Sequence, residues 1–414
     1  MKTLPHVTAL AVKDTNSARV PLKVCMHVLG TAGADAQVMD ARVMREATAL
    51  VEAGFELTIV DVAGDRNRRS EEYIRGVRMK HIIMPSWFTF TRFKLWFLVK
   101  AVQMIMRGTI QLLSISTDIY HAHDGYALPA CYIAARLRRK PLIFDSHEIP
   151  FDAPSITRWH RLSALATRIL TRMLPRCAGV ITASPLYAQE IRNQYHYPEV
   201  TLVRNLPTYR AVLRSDRLQQ YLGLSPNMRI ILYQGNLQPN RSLDTLVHAA
   251  PFLESDIVIV LMGRAEETTR IQLESLIASK GVANRVKIIP PVPYEELLDW
   301  TASADIGLTI FSPDYTRSIR FCLPNKLFEY LMAGLPVLTS QLDAIVDVIK
   351  TYDVGRVLPS LAPADIGTAI NTMLSDPAGL ARMRNNALEA ARHEFHWKND
   401  SLKLIKLYKA VLTK

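Results

Sequence analysis

Cysteine is scarce in this chain. Four residues among 414, Cys25, Cys131, Cys177 and Cys322, stand far apart, with no C-x-x-C pair and no Cys/His spacing suited to zinc. A disulfide scaffold and a zinc module are thereby excluded, and the thiols are expected to be reduced and buried, as in the cytoplasm. Long uncharged apolar runs are also missing. The most apolar stretch, Phe93–Leu113, carries Lys94, Lys100 and Arg107, which makes it a poor membrane span. The amino terminus lacks the basic, apolar and small-residue succession of a secretory signal, so none is expected. Acidic residues are short on one side only. Residues 1–205 hold 17 Asp+Glu against 27 Lys+Arg, whereas the remainder holds 21 against 23. An excess of ten positive charges on one half implies that this half meets something anionic. No RNP, zinc-finger or helix-turn-helix pattern accompanies it, so an anionic membrane surface ranks above nucleic acid, and no nucleic-acid partner is expected.

What the chain has in abundance is alternation. Short β-branched runs (Leu22–Leu29, Glu56–Asp61, Val77–Met84, Ile119–His121, Pro141–Asp145, Ala178–Thr182, Val200–Val203) are separated mostly by helical patterns such as Asp40–Ala53 and Ala127–Leu137. After Asn205-Leu-Pro the rhythm restarts with Arg229–Tyr233, Ile257–Met262, Val286–Ile289, Ile306–Ile310, Pro336–Leu338 and Gly355–Leu358. Such alternation predicts βαβ units and parallel sheets, and 414 residues exceed what one core supports. The expected architecture is α/β, with two Rossmann-like doubly wound domains facing a central cleft. Residues 1–205 form the first, 206–394 the second, and 395–414 a final helix. Ligands of such sheets bind beyond the carboxyl ends of the strands.

Two helices of the basic half carry unusual faces. Phe93–Leu113 places Lys100, Gln103, Arg107 and Gln111 on a narrow stripe and fills the rest with residues such as Trp96, Phe97, Leu98, Val99, Met104, Ile105 and Met106, with Trp87, Phe88 and Phe90 upstream. An interfacial helix and a well-buried one fit equally. Arg158–Leu174 sets Arg158, Arg161, Arg168 and Arg172 opposite Trp159, Leu162, Ala166, Ile169, Leu170 and Met173, which also suits a plain solvated face. Together they point to a peripheral membrane protein on the cytoplasmic side.

The chemistry is concentrated in Leu323–Ser340, LPNKLFEYLMAGLPVLTS. A Pro-led helix brings Asn325, Lys326 and Glu329 within one turn, so a cation and a carboxylate share a helix N-terminus, a place that favours anions. A carboxylate there accepts both hydroxyls of a ribose while Lys326 holds phosphates. The run resembles the nucleotide-sugar motif of the retaining glycosyltransferases of family 4, which have the GT-B fold. Asp40-Ala-Arg-Val-Met-Arg-Glu-Ala, Phe144-Asp-Ser-His147-Glu148, His121-Ala-His123-Asp124 and Tyr233-Gln-Gly235-Asn236…Arg241 are similar to that family as well.

The resemblance implies a nucleoside diphosphate sugar as donor, a glycan or lipid-linked acceptor, and a final helix crossing back to the first domain. His147 would face the donor sugar, its ring oriented by Asp145 or Glu148. Arg241, at the start of a helix running through His248, and Lys326 would share the diphosphate, with Glu329 at the ribose. His147, Arg241, Lys326 and Glu329 form the catalytic set. Gly235, Asn236, Gly263, Val292, Asn325 and Leu327 complete the donor side. Gly30 and Gly33, after the first strand, mark either a tight βα turn or part of the cleft. His123, Asp124 and Glu148 fall on the acceptor side. The three histidines carry no metal geometry by spacing alone. Asp-x-Asp, with which the GT-A transferases hold a divalent ion, is absent, so protein cations are expected to replace metal, with no cofactor. Two positions depart from the family. Asn236 stands where a cation is common, and Phe321 where the first of two Glu eight positions apart is expected, which puts the donor sugar in question. A nucleotide-sugar 2-epimerase of the same fold and an inactive membrane-bound scaffold remain as alternatives.

Overall fold

The computed structural model describes residues 21–29, 41–63, 70–83, 94–150, 152, 160–312 and 316–413. Two sheets organise them. The first contains β1 (Lys23–His27), β2 (Glu56–Ala63), β3 (Glu71–Ile74), β4 (Val77–Ile83), β5 (Ile119–His123), β6 (Leu142–Ser146), β7 (Gly179–Thr182) and β8 (Val200–Leu202) in the order β3-β4-β2-β1-β5-β6-β7-β8. The second contains β9 (Arg229–Gln234), β10 (Ile257–Met262), β11 (Val286–Ile289), β12 (Ile306–Thr309), β13 (Val337–Thr339) and β14 (Gly355–Val357) in the order β11-β10-β9-β12-β13-β14. All pairings are parallel except β3 with β4. The chain is thus an α/β protein of two Rossmann-like domains.

Strand composition explains the layering. β10, Ile-Val-Ile-Val-Leu-Met, is buried at every position because helices cover both faces of its sheet, and such strands read as continuous apolar runs. Val258 and Val260 face one core with Phe328 and Tyr330, while Ile257, Ile259 and Leu261 face another with Leu246 and Ile370. Strand β3, Glu-Glu-Tyr-Ile, carries no such signal and lies outside the sequence expectation. It exists because Arg75 and Gly76, at φ 51° and 78°, close a two-residue hairpin onto β4.

Each sheet reverses its strand order once, between β1 and β5 and between β9 and β12. Those are the switch points at which doubly wound sheets leave a crevice for ligands. The last helix, Trp397–Leu412, packs on the first sheet, where Leu404, Tyr408 and Val411 join Val24, Met26 and Ile119. Its start is held by Trp397 N donating to the Pro207 carbonyl at 2.8 Å and by Asp400, which receives Arg204 N at 2.7 Å and Nε at 3.0 Å.

Candidate functional site

On the first domain, β5 and β6 end side by side and deliver His123, Asp124, Asp145 and His147 to one place. Asp145 is fully buried, and the equally enclosed Arg42, from the helix Ala41–Glu52, grips it with two bonds of 2.8 Å, Nε to Oδ2 and Nη2 to Oδ1. Arg42 also donates to the Val203 carbonyl at 2.6 Å and lies 3.1 Å from Glu46. His147 Nε2 stands 3.0 Å from Asp145 Oδ2, and its Nδ1 stands 3.3 Å from Asp124 Oδ2. The His147 backbone N–H donates to Asp124 Oδ1 at 3.0 Å. His123 Nδ1 approaches the same Asp145 oxygen at 3.2 Å. Asp124 adopts φ 64° at the β5-to-helix junction, a left-handed conformation that aims its carboxylate at His147. Of the two carboxylates expected to orient His147, Asp145 is within reach, while Glu148 is exposed.

Despite desolvation, Asp124 and Asp145 raise the His147 pKa to about 10. Asp145 is held well below the carboxylate range, the Arg42 charge overcoming burial. Glu46, His121, His123 and Asp145 each bring one potential ligand atom within 4.8 Å of the others. The guanidinium of Arg42 lies against both of those carboxylates and supplies the positive charge a cation would bring, so we assign no metal to them.

On the second domain, Gly235 directly follows β9 and Gly263 directly follows β10. A Cβ on Gly263 would lie 1.8 Å from the Gly235 carbonyl oxygen, so the two loops touch backbone to backbone and only glycine fits. Beside them, the helix Asn325–Met332 buries Lys326 and Glu329. Lys326 Nζ sits 3.5 Å from the centre of the Tyr233 ring and makes no hydrogen bond. Arg241 stacks at 4.6 Å over Phe311, which also faces Lys326 at 5.5 Å. Burial, with Arg241 adding repulsion, pushes the Lys326 pKa well below its ordinary value. Glu329 is raised by burial, against the pull of Gln234, Arg45 and Lys326. One of its oxygens, Oε2, is held at 2.6 Å by Gln234 Nε2, and Gln234 Oε1 in turn accepts from Thr301 Oγ1 at 2.7 Å.

Glu329 also lines a cavity of about 900 Å³ between the domains, with Arg45, Tyr294, Leu297, Arg210 and Trp397. Across the other end of the cleft, the short helix Arg317–Arg320 is clasped by the first domain. Asp152 Oδ2 accepts from Ser318 N at 2.8 Å, the Ile149 N–H donates to Ser318 Oγ at 3.2 Å, and Ser184 Oγ donates to the Phe321 carbonyl at 2.6 Å.

The structure therefore gathers His123, Asp124, His147 and Glu148 on one wall and Gly235, Arg241, Gly263, Lys326 and Glu329 on the other. Asn236 and Asn325 are exposed, Val292 is half-buried, and Leu327 is sealed in the core, leaving only its backbone for a ligand. Gly30 and Gly33 lie outside the described residues. Arg241 ends a 3-10 turn, Pro239–Arg241, instead of opening a helix; the helix is Leu243–Ala249, because Ser242 takes φ 52° between them. Sequence reasoning missed Gln234 and Arg42. Gln234 had a signal, a polar residue ending an apolar strand, whereas an arginine inside an amphipathic helix reads as solvent-facing.

Comparison with known proteins fits this arrangement. Residues 40–206 match Glycosyltransferase Family 4, and residues 215–393 match Glycosyl transferases group 1. The chain belongs to glycosyltransferase family 4. It is 24% identical over 404 residues to a D-inositol 3-phosphate glycosyltransferase of Nocardia farcinica, covering 91% of this chain and 86% of that one. A protein of the same name from Streptomyces bingchenggensis is 24% identical over 297 residues, 68% of this chain and 64% of its own length. In the relative from Rhodococcus jostii the matched stretch is 46% of the protein. Among solved structures, sucrose-phosphate synthase of Thermosynechococcus elongatus superposes with a TM-score of 0.76 at 17% identity, covering 95% of this chain and 99% of that chain. Anabaena HepE in complex with UDP-glucose gives 0.69 at 14% identity, covering 94% and 100%. At these identities the structural likeness describes the GT-B fold.

Proposed function

We propose that this protein transfers a sugar from a nucleoside diphosphate sugar to an acceptor hydroxyl with retention of configuration. The observation that carries the reading is Lys326, a buried amino group with no hydrogen-bond partner among the described residues. It sits near Arg241 at the carboxyl end of β9, one helical turn from a carboxylate with one oxygen already engaged. A diphosphate satisfies the ammonium, and a ribose satisfies the remaining oxygen of Glu329. In the transition state negative charge grows on the departing diphosphate, where Arg241 and Lys326 stabilise it without a metal ion. His147 and Asp124 face the sugar and the acceptor from the opposite wall. Retention follows from attack on the face the diphosphate leaves, with the phosphate taking the acceptor proton.

The acceptor we favour is lipid-linked or part of a surface glycan, met at an anionic bilayer. No helix among the described residues is long and apolar enough to cross a membrane. The helix Lys94–Leu113, however, exposes Leu98, Val99, Val102, Met106 and Ile110 and tucks Lys100 inward. It packs against Asp124–Arg138, which exposes Ile133 and Leu137 beside Arg136, Arg138, Arg139 and Lys140. The helix His160–Met173 adds exposed Leu165 and Ile169 among Arg161, Arg168 and Arg172. Apolar residues ringed by arginine suit the headgroup boundary.

The test is a panel of UDP-, GDP- and ADP-sugars with EDTA present, read by nucleotide release and by the anomer of the product. One donor turned over with retention, and lost in Glu329→Ala, is expected. Silence toward every donor in both proteins would replace the reading with that of a scaffold.

A further inference from the structure

We infer that Asp145, gripped by Arg42, is a positioning residue that holds His147 at the cleft wall as an imidazolium, with Nε2–H committed to the buried carboxylate and Nδ1–H turned to Asp124. The inference deepens the proposed reaction and rests on that reading only for its catalytic consequence.

The geometry leaves little freedom. An ionised carboxylate only accepts hydrogen bonds. Asp145 Oδ2 therefore fixes a proton on His147 Nε2, 3.0 Å away, and Asp124 Oδ2 favours a second proton on Nδ1, 3.3 Å away. Both ring nitrogens face carboxylates, so the doubly protonated ring is the form the site selects. Asp145 stays ionised because Arg42 meets it with two parallel bonds of 2.8 Å in a place closed to water. The remaining groups agree. His123 Nδ1 lies 3.2 Å from the same Oδ2 and 3.2 Å from His147 Nε2, so one carboxylate oxygen serves both rings, and Glu46, 3.1 Å from Arg42, shares the single guanidinium charge with Asp145. His121 stacks on His123 at 4.1 Å and stays neutral, its pKa held well below the usual histidine range by burial. Glu148, exposed on the rim, is a further carboxylate whose charged form His147 favours.

The two carboxylates have different tasks. Asp145 is unreachable and acts through His147. Asp124 is partly exposed and is the exchangeable partner, so a sugar hydroxyl entering the cleft takes its place at Nδ1–H. His147 thus meets the donor as a fixed cation over the working pH range, its pKa standing at about 10.

The test reads His147 directly and through activity. Histidine-labelled protein is titrated by NMR, with His147→Gln assigning the signal, and the pH profile of kcat/KM is recorded beside it. Wild-type His147 should keep both protons through neutrality. Asp145→Asn should lower its titration, and the basic limb of the profile with it, by roughly two units or more. Because Asp145→Asn leaves the buried Arg42 with Glu46 as its one remaining described carboxylate partner, the double variant Arg42→Gln/Asp145→Asn, which removes both charges of the Arg42–Asp145 pair, is measured alongside and should show the same displacement. A limb that stays in place while activity falls evenly at all pH values, with His147 titrating as in the wild type, would reduce Asp145 to a structural role. Failure to turn over any donor would sink the functional reading alone, since the NMR titration still decides the state of His147.

Discussion

Lys326 is the residue on which the donor reading depends most. An amino group buried on the Tyr233 ring and facing Arg241 lacks both a hydrogen-bond partner and an ion-pair partner among the described residues, and its pKa is accordingly well below the ordinary lysine value. A diphosphate reverses both conditions, so nucleotide binding should draw a proton into the site. Calorimetry of UDP or GDP binding in buffers of different ionisation enthalpy is expected to show net proton uptake, and affinity should fall as pH rises. Lys326→Met should abolish the uptake and weaken binding by about 1.5–3 kcal/mol, the range for a hydrogen bond to a charged group. Equal proton uptake in the variant would place the linkage elsewhere. Glu329 moves the opposite way, its acid form favoured by burial. A lysine and a glutamate thus share one helical turn, with burial working against the charged form of each.

At the scale of elements, the strands were legible except for one edge, the hairpin strand Glu71–Ile74. Ile257–Met262 and Ile306–Thr309 stand where the apolar runs place them, because a strand buried on both faces leaves nothing else for the sequence to say. Glu71–Ile74 was invisible, since an edge hairpin needs only a turn and a partner. The site shows the same division. Lys326, Glu329 and His147 sit on a helix start and a strand end that pattern can locate, and Arg241 in the turn before a helix. Arg42 and Gln234 act on other side chains, and a partner 103 residues away, as Asp145 is from Arg42, leaves no local trace. Phe321 departs from the family at a loop whose carbonyl is occupied by Ser184, so this end of the cleft is bound to the first domain.

Two predictions belong to elements. Gly263→Ala drives a methyl into the Gly235 carbonyl and must separate the β9 and β10 loops. It is expected to cost about 2–4 kcal/mol in urea denaturation, a large single-site effect, and to remove the thermal shift given by donor nucleotides. An unchanged melting curve would mean that the loops part easily. On the helix Lys94–Leu113, Val102→Glu with Met106→Glu places two acids on exposed apolar positions. Flotation with phosphatidylserine vesicles should fall at least about tenfold, a change worth about 1.4 kcal/mol, while turnover of soluble acceptors stays intact. Equal flotation would remove the membrane from the picture.

At the scale of the whole molecule, His27 and His121 are shifted one way and His147 the other, and these three shape its stability against pH. His27, buried under Gly108 with Nδ1 bonded to the Val60 carbonyl at 2.8 Å, is lowered by burial to about 4. Its contribution is present above the unfolded histidine value of 6.5 and is lost as pH falls toward 4, because the unfolded chain binds a proton that the folded one refuses. His121 acts in the same direction, held neutral between His123 and the Tyr408 hydroxyl at 2.6 Å. His147 is the reverse. Raised to about 10, it stabilises the fold in full below 6.5 and loses that contribution as pH climbs through 10. Urea midpoints measured from pH 4 to 10 should therefore fall on both sides of neutrality for two separable reasons. His27→Gln should flatten the acid side alone, and Asp124→Asn the alkaline side alone. A variant that lowered the whole curve without changing either slope would show that its residue contributes packing, with no part in proton linkage.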